Sequence, residues 1–435
     1  MAPTRDAALA ARAATDLARR PRPICLEGAV QRYAWGGTHF IPQLTGVEPS
    51  PGQPAAELWL GAHPLAPAAA RVGDVVVGLD QLIEASPDTF LGPEVSARFD
   101  GTLPYLLKVL DVARMLSIQA HPTAAQAVDG FERDSRRGLA ADAPDRSYRD
   151  RRHKPEMQVA LTEFWMLHGF RPLDAVQAAL EATDEFFALA ARLRSTDGVS
   201  DANRLRRLYE HVMTLPQDAV DAILAPLAAR LTPRYRAGHL HRSTAEFWAA
   251  RALEQFPLPG GRLDRGIVSI YLMNLVRLEP GQATFIGAGV LHAYLEGVAI
   301  ELMANSDNVL RGGLTPKHVD VTELLRVVAV ESAPPAFVAP IRLSTTEQAF
   351  RPPVDEFQLS RVSVAADRPH HAGPVRGADT LLVVEGSGRV HVAEHSLPLE
   401  RGTSVIIPNG AVYAVESSTE VVMFKASVPA RRETP

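Results

Sequence analysis

The 435-residue sequence contains one cysteine, Cys25. That excludes an intrachain disulfide and a metal site built on several thiolates. Any bound metal must be held by histidine, carboxylate or amide. No apolar run approaches the ~20 residues a helix needs to cross a bilayer. Neither sign of charge dominates: 45 lysines and arginines stand against 50 aspartates and glutamates, a formal net charge of −5. This balance argues against a nucleic-acid partner. The remaining composition is ordinary for a globular chain, 46% hydrophobic and 22% charged, and the length suggests two or three domains. Residues 1–20 are rich in alanine and arginine but lack the continuous apolar stretch of a secretory signal. A surface helix, a cytoplasmic location and no membrane partner are expected.

The stretch Ser117-Ile118-Gln119-Ala120-His121-Pro122 carries the first chemical signal. Strand side chains alternate faces, so Gln119, His121 and Ser117 point one way while Ile118 and Ala120 point the other. The Gln119 and His121 Cβ atoms then sit about 7 Å apart, close enough to converge on one ion. A polar strand end near a loop would look the same in isolation. Downstream, His153-Lys154-Pro155-Glu156 leads into Met157-Gln158-Val159-Ala160-Leu161. Pro155 favours an extended residue before it, which places Lys154 and Glu156 on or beside a strand. Between these stretches, residues 130–152 mix seven arginines with aspartates. Such mixed charge reads as a solvated loop, or, more sharply, as a rim that captures phosphate.

Other strands are expected at residues 24–30, at 57–61 ahead of His63, and over 104–112, an apolar run interrupted by Lys108. From residue 172 to 257 the period becomes helical, as in Leu173, Val176 and Leu180, and again in Leu205, Leu208 and Val212. Ser243-Thr244-Ala245-Glu246 reads as a capping box. Pro226 should kink or end its helix. Phe186, Phe187, Phe247 and Trp248 are expected in the core of this block. A β pattern resumes at residues 266–275 and continues to the C-terminus.

The β-rich parts contain a repeat. Gly281 to His292 and Gly402 to Tyr413 both run glycine, β residues, an apolar pair, a turn ending in glycine, and one residue at the same offset. The spacing resembles the second signature of the cupin jelly roll, in which a strand–turn–strand delivers a ligand histidine into the barrel. The first copy has His292 at that offset and the second has Tyr413. Gln119 and His121 serve the first signature in copy one; Glu385 to Val390 supplies no equivalent pair. The expected fold is therefore mainly β with a helical insertion. It comprises two cupin-type jelly rolls, one metal-binding and one degenerate, plus an α-helical domain. The expected segments are 22–170 and 262–337 for the catalytic roll, 171–261 for the helical insertion and 338–435 for the metal-free roll. His391 and His395 in the second roll read as exposed.

Residues 104–329 resemble the type I mannose-6-phosphate isomerases. The resemblance rests on Leu116 to Pro122, on His153-Lys154-Pro155-Glu156, on Gly289 to Gly297, and on the run from Ile300 through Asn305-Ser306-Asp307-Asn308 and Arg311-Gly312-Gly313 to Lys317. Tyr33-Ala34-Trp35-Gly36 and Glu57-Leu58-Trp59-Leu60-Gly61 extend it toward the N-terminus. The resemblance implies one zinc ion per chain, held by Gln119, His121, Glu156 and His292. It implies an aldose–ketose isomerase acting on a sugar phosphate through a cis-enediol, as a monomer or homodimer. Arg311 would be the catalytic cation. Glu301 is the first choice for the base, with His153 second and Asp307 third. Ser117, Lys154, Lys317 and Asp307 would bind substrate. Competing readings are a cupin of another metal class, such as an iron dioxygenase, and a non-catalytic sugar-phosphate binder.

Overall fold

The computed structural model describes residues 6–47, 52–140, 142–194, 199–335 and 337–430. It is mostly sheet with a helical insertion, as the sequence patterns require. A ten-stranded sheet forms the first roll, and its central strand is His292–Ala304. That strand pairs antiparallel with Tyr105–Val112, Gln119–Ala120, Glu156–Ala160 and Phe164–Phe170. A twelve-stranded sheet forms the second roll, centred on Asp379–Val392 and Val421–Ser427. The N-terminal strand Ile24–Glu27, within the segment expected to start the catalytic roll, pairs with Ser404–Ile407 and so extends the second sheet.

The two rolls pack face to face through one continuous core. Tyr105, Leu107 and Val109 of the first roll join Leu359, Leu382 and Phe424 of the second. Strand alternation explains what this leaves on the other face. With Leu107 and Val109 turned toward the second roll, Lys108 turns into the first roll. By the same rule Ile300 and Leu302 pack outward while Glu301 points inward. Met157 and Val159 likewise leave Glu156 and Gln158 inside. Every residue of Tyr105–Val112 is buried, so a lysine there has no route to solvent.

The repeat is realised as two strand–turn–strand units. Ala283–Ile286 leads through Gly289 to the strand starting at His292; Ser404–Ile407 leads through Gly410 to Tyr413–Glu416. Gly289 and Gly410 share a φ of +77°, a left-handed conformation that glycine adopts without steric cost.

The helical block lies between the halves of the first roll and contains helices Leu173–Glu181, Phe187–Arg194, Asp201–Thr214, Gln217–Arg236 and Ala245–Gln255. Four local expectations are corrected. Helix Gln217–Arg236 runs through Pro226 and Pro233, held by buried Val220, Leu224, Leu227 and Leu231. Thr244, one residue later than expected, caps Ala245–Gln255 by accepting from Phe247 N, and Glu246 instead binds Arg230. Phe187 is exposed, whereas Phe186 and Trp248 are buried. Residues 266–272, expected as strand, form helix Gly266–Leu272, and the strand begins at Met273. All seven helix residues are buried, and a fully buried apolar run has no polar face to reveal its period. The N-terminal helix Ala7–Arg19 is capped by Asp6 and buries Ala10, Ala13, Ala14 and Leu17. No described helix is long and apolar enough to cross a membrane.

Candidate metal centre and active site

Three strands meet at the open end of the first roll. Gln119 pairs directly with His292 on one side and with Arg311 on the other. Cross-strand partners share a face, so this register aligns an amide, an imidazole and a guanidinium in one row. His121 lies on the same face as Gln119, and Glu156 opens the next strand.

His121, Glu156 and His292 are buried, with ligand atoms within 4.8 Å of one another. Glu156 Oε1 is 3.3 Å from His121 Nε2, and Oε2 is 3.4 Å from His292 Nε2. His121 Nδ1 donates to the Asn308 carbonyl at 2.8 Å, and His292 Nδ1 donates to the Val290 carbonyl at 3.0 Å. These bonds place the proton on Nδ1 of each ring and leave both Nε2 lone pairs facing the carboxylate. His121 Nε2 is buried without a hydrogen-bond partner. Burial pushes His121 down to about 4, overriding the Glu156 carboxylate, so the ring is neutral near pH 7. Burial works to raise Glu156, but the Lys154 ammonium, whose Nζ is 3.3 Å away, helps hold it well below the usual carboxylate range. Two imidazoles and one carboxylate, with the Gln119 amide beside them, suit a single divalent cation.

A second polar layer lies deeper. Lys108 Nζ is 3.1 Å from Glu301 Oε2 and 3.3 Å from Glu57 Oε2. Burial opposes its charge, yet Glu57 and Glu301 raise its pKa above the ordinary lysine value. Burial raises Glu301, with Lys108 drawing it partly back. The Tyr294 hydroxyl is 2.8 Å from Glu301 and 3.1 Å from Glu156, and it accepts a hydrogen bond from Gln158. Tyr294 thus links Glu156 of the candidate metal cluster to Glu301, the residue expected first as base. Sequence reading missed Lys108, Glu57, Gln158 and Tyr294 as a network; the available signal was one lysine inside an apolar strand.

The remaining candidates divide. Arg311 and Lys317 lie near Arg149. Burial lowers both pKa values, and each is lowered further by the neighbouring cations. Among the described residues no carboxylate pairs with any of these three cations. Lys317 also lines a cleft of about 300 Å³ against the helical block. The Ser117 hydroxyl accepts from Gln119 Nε2 at 3.3 Å, at the mouth of the metal cluster. Asp307 sits 3.4 Å from the buried His63, which draws its carboxyl down against the effect of burial. His153 is turned elsewhere: its Nε2 meets Glu356 at 2.7 Å.

The arginine-rich segment is not the simple solvated loop of the expectation. Its first part belongs to helix Ala124–Arg136, and Arg146 is buried, donating to the carbonyls of Tyr148 and Leu139 and to Ser135. Asn308 fastens the rest. Its Oδ1 accepts from Arg149 N at 2.7 Å and from Asp150 N at 3.2 Å; its Nδ2 donates to the carbonyls of Asp150 and Arg152. Its own carbonyl holds His121. One buried residue therefore sets the arginine segment against the metal cluster. Asn308→Ala should raise KM about tenfold and cost about 2–3 kcal/mol of stability. Bound metal should stay at wild-type level, because the bond to His121 comes from the backbone. Steady-state kinetics with metal analysis checks this.

Comparison with known proteins agrees with this geometry. Residues 24–173 match the model for the phosphomannose isomerase type I catalytic domain. The mannose-6-phosphate isomerase of Escherichia coli is 36% identical over 388 residues, covering 88% of this chain and 94% of its own. The chain belongs to the type I phosphomannose isomerase family. The Homo sapiens member, a mannose-6-phosphate isomerase, is 33% identical over 415 residues, covering 89% of this chain and 93% of its own. A solved family member from Salmonella typhimurium, bound to substrate and zinc, has a TM-score of 0.83 and 33% identity. It covers 93% of this chain and 100% of its own.

Proposed function

We propose that this chain is a zinc-dependent isomerase interconverting D-mannose 6-phosphate and D-fructose 6-phosphate. The observation that carries the reading is the row His292–Gln119–Arg311. It sets the candidate metal cluster of His121, Glu156 and His292 beside cations that, among the described residues, have no acidic partner. Gln119, His121, Glu156 and His292 would hold one zinc ion, which supplies Lewis-acid polarisation of substrate oxygens when bound. Lys317 and Arg149 offer positive charge to the phosphate, with Lys154, Ser117 and Asp307 around the sugar.

The chemistry assigned to the residues is proton transfer through a cis-enediol. The base removes the C2 proton, and the C2–H electron pair becomes the C1–C2 double bond while charge develops on O1. Arg311, always protonated and planar, stabilises that charge. Return of the proton to C1 and passage of the O2 proton to O1, with the O2–H electron pair closing the C2=O bond, gives the ketose. Glu301 is assigned as base: burial raises its pKa toward neutrality, which favours proton transfer. His153 is the alternative, at the cost of releasing Glu356.

A coupled assay for fructose 6-phosphate formed from mannose 6-phosphate, before and after chelation, tests the proposal. Activity should vanish with chelator and return with zinc. A protein that carries one equivalent of metal and yields no ketose in any metal state would overturn the substrate assignment.

A further inference from the structure

Backbone register aligns the interiors of the two rolls. Ile286 pairs with Glu156, and Ile407, at the same place in the repeat, pairs with Asp379. Gln119 faces His292, and Ala372 faces Tyr413. Glu301 lies opposite Gln158, two residues past Glu156; Lys425 lies opposite Leu381, two residues past Asp379. Lys108 faces Glu301, and Ser360 faces Lys425. On the next strand, Glu57 pairs two residues past Lys108, with Leu110, and Glu347 pairs two residues past Ser360, with Val362.

The correspondence shows what was kept. The carboxylates Glu57 and Glu156 persist as Glu347 and Asp379. The ligands Gln119 and His292 become Ala372 and Tyr413. The interior lysine has changed strands: Lys108 opposite Glu301 becomes Ser360 opposite Lys425. In the second roll Lys425 Nζ is 2.7 Å from Glu347 Oε1 and 3.9 Å from Asp379 Oδ2. The Tyr413 hydroxyl donates to Asp379 Oδ2 at 3.0 Å. His370 Nδ1 meets the Thr346 hydroxyl at 2.9 Å, and its Nε2 is buried 4.0 Å from Glu347. Lys425, Glu347, Asp379, Tyr413 and His370 are all buried.

Two buried carboxylates require a counter-charge, because ionised groups removed from water are tolerated only when paired. We propose that the Lys425 ammonium is the resident cation of the second roll. It stands beside the carboxylate equivalent to Glu156 and by itself balances an interior where the first roll has Lys108 together with the proposed metal. The comparison with the first roll rests on the proposed metal site; the charge balance within the second roll does not. The function of this built-in cation is to let the second roll serve as a metal-independent anchor for the catalytic roll. Tyr105 of the first roll donates to the Ala378 carbonyl at 2.8 Å and lies 3.2 Å from the Ala426 carbonyl, next in sequence to Asp379 and Lys425.

The test is a double-mutant cycle in the full-length, zinc-loaded protein, read by thermal unfolding. Lys425→Met should lower the melting temperature by about 3–5 °C. Adding Glu347→Gln should restore at least half of that loss, because it removes the charge left unpaired. Losses that simply add would overturn the proposal. If Lys425→Met does not fold, recovery of folded protein in the double variant reads the same coupling, and failure to recover overturns it. Zinc content supplies a second arm. His292→Ala should bind no zinc through the second roll; a zinc equivalent that persists in His292→Ala and is lost on adding Asp379→Asn would overturn the proposal. The melting cycle is independent of turnover, so an inactive protein with intact coupling would count against the isomerase assignment alone.

Discussion

His292→Ala should abolish metal retention and turnover together. His292 is buried, its Nδ1 is tied to the Val290 carbonyl, and its Nε2 faces Glu156. Changes to groups that merely orient a metal ligand weaken affinity about 10–100-fold, so loss of a ligand should weaken it by more than about 100-fold. The variant should fold, because the strand that carries His292 is held along its length by Tyr105–Val112 and Glu156–Ala160. Gln119→Ala should act in the same direction with a smaller effect, since the amide is a neutral ligand and is partly exposed. The measurements are metal content after dialysis and isomerase rate at saturating zinc. A chelated His292→Ala protein that turned over like the chelated-and-reloaded wild type would remove the metal cluster from the mechanism.

Arg311→Ala should leave the metal in place and lower kcat by about 10³. A positioned donor for developing negative charge is worth about 10²–10³ in rate, and a fixed guanidinium lies at the upper end of that range. Arg311 pairs in register with Gln119 and, among the described residues, has no acidic partner, so its charge is available to substrate. Removing it also relieves Lys317, whose pKa is lowered by burial and then by Arg311 and Arg149. Lys317 should therefore hold its proton to higher pH in the variant. Substrate binding should fall less than kcat, because Lys317 and Arg149 remain as the cations proposed to hold the phosphate. The check is a kcat and KM comparison at matched zinc content. A rate within tenfold of wild type would reassign the catalytic cation.

Gln119 and His121 were legible as a pair because alternation along a strand is a local rule. The offset that placed His292, and left Tyr413 in the other copy, was legible because a strand–turn–strand unit carries its geometry in its own glycines. Amphipathic helices such as Asp201–Thr214 showed their period for the same reason. Helix Gly266–Leu272 did not, because burial on every side removes the polar face that reports the period. Local patterns also gave no view of the partners chosen across the chain. Lys108 reads as a flaw in an apolar strand until Glu57 and Glu301 are brought to it. His153 reads as a base candidate until the second roll supplies Glu356. Asn308 reads as one polar residue among several until it is seen tying Arg149 and Asp150 to the carbonyl that holds His121.

The sequence by itself determined the shared face of Gln119 and His121, the repeat and its altered second copy, and the helical insertion, since each follows from spacing within a short segment. Only the tertiary structure decided which charges neutralise one another. Buried ions find partners through strand register and sheet packing, and those bring together residues as distant in the chain as Lys425 and Glu347, or Lys108 and Glu301.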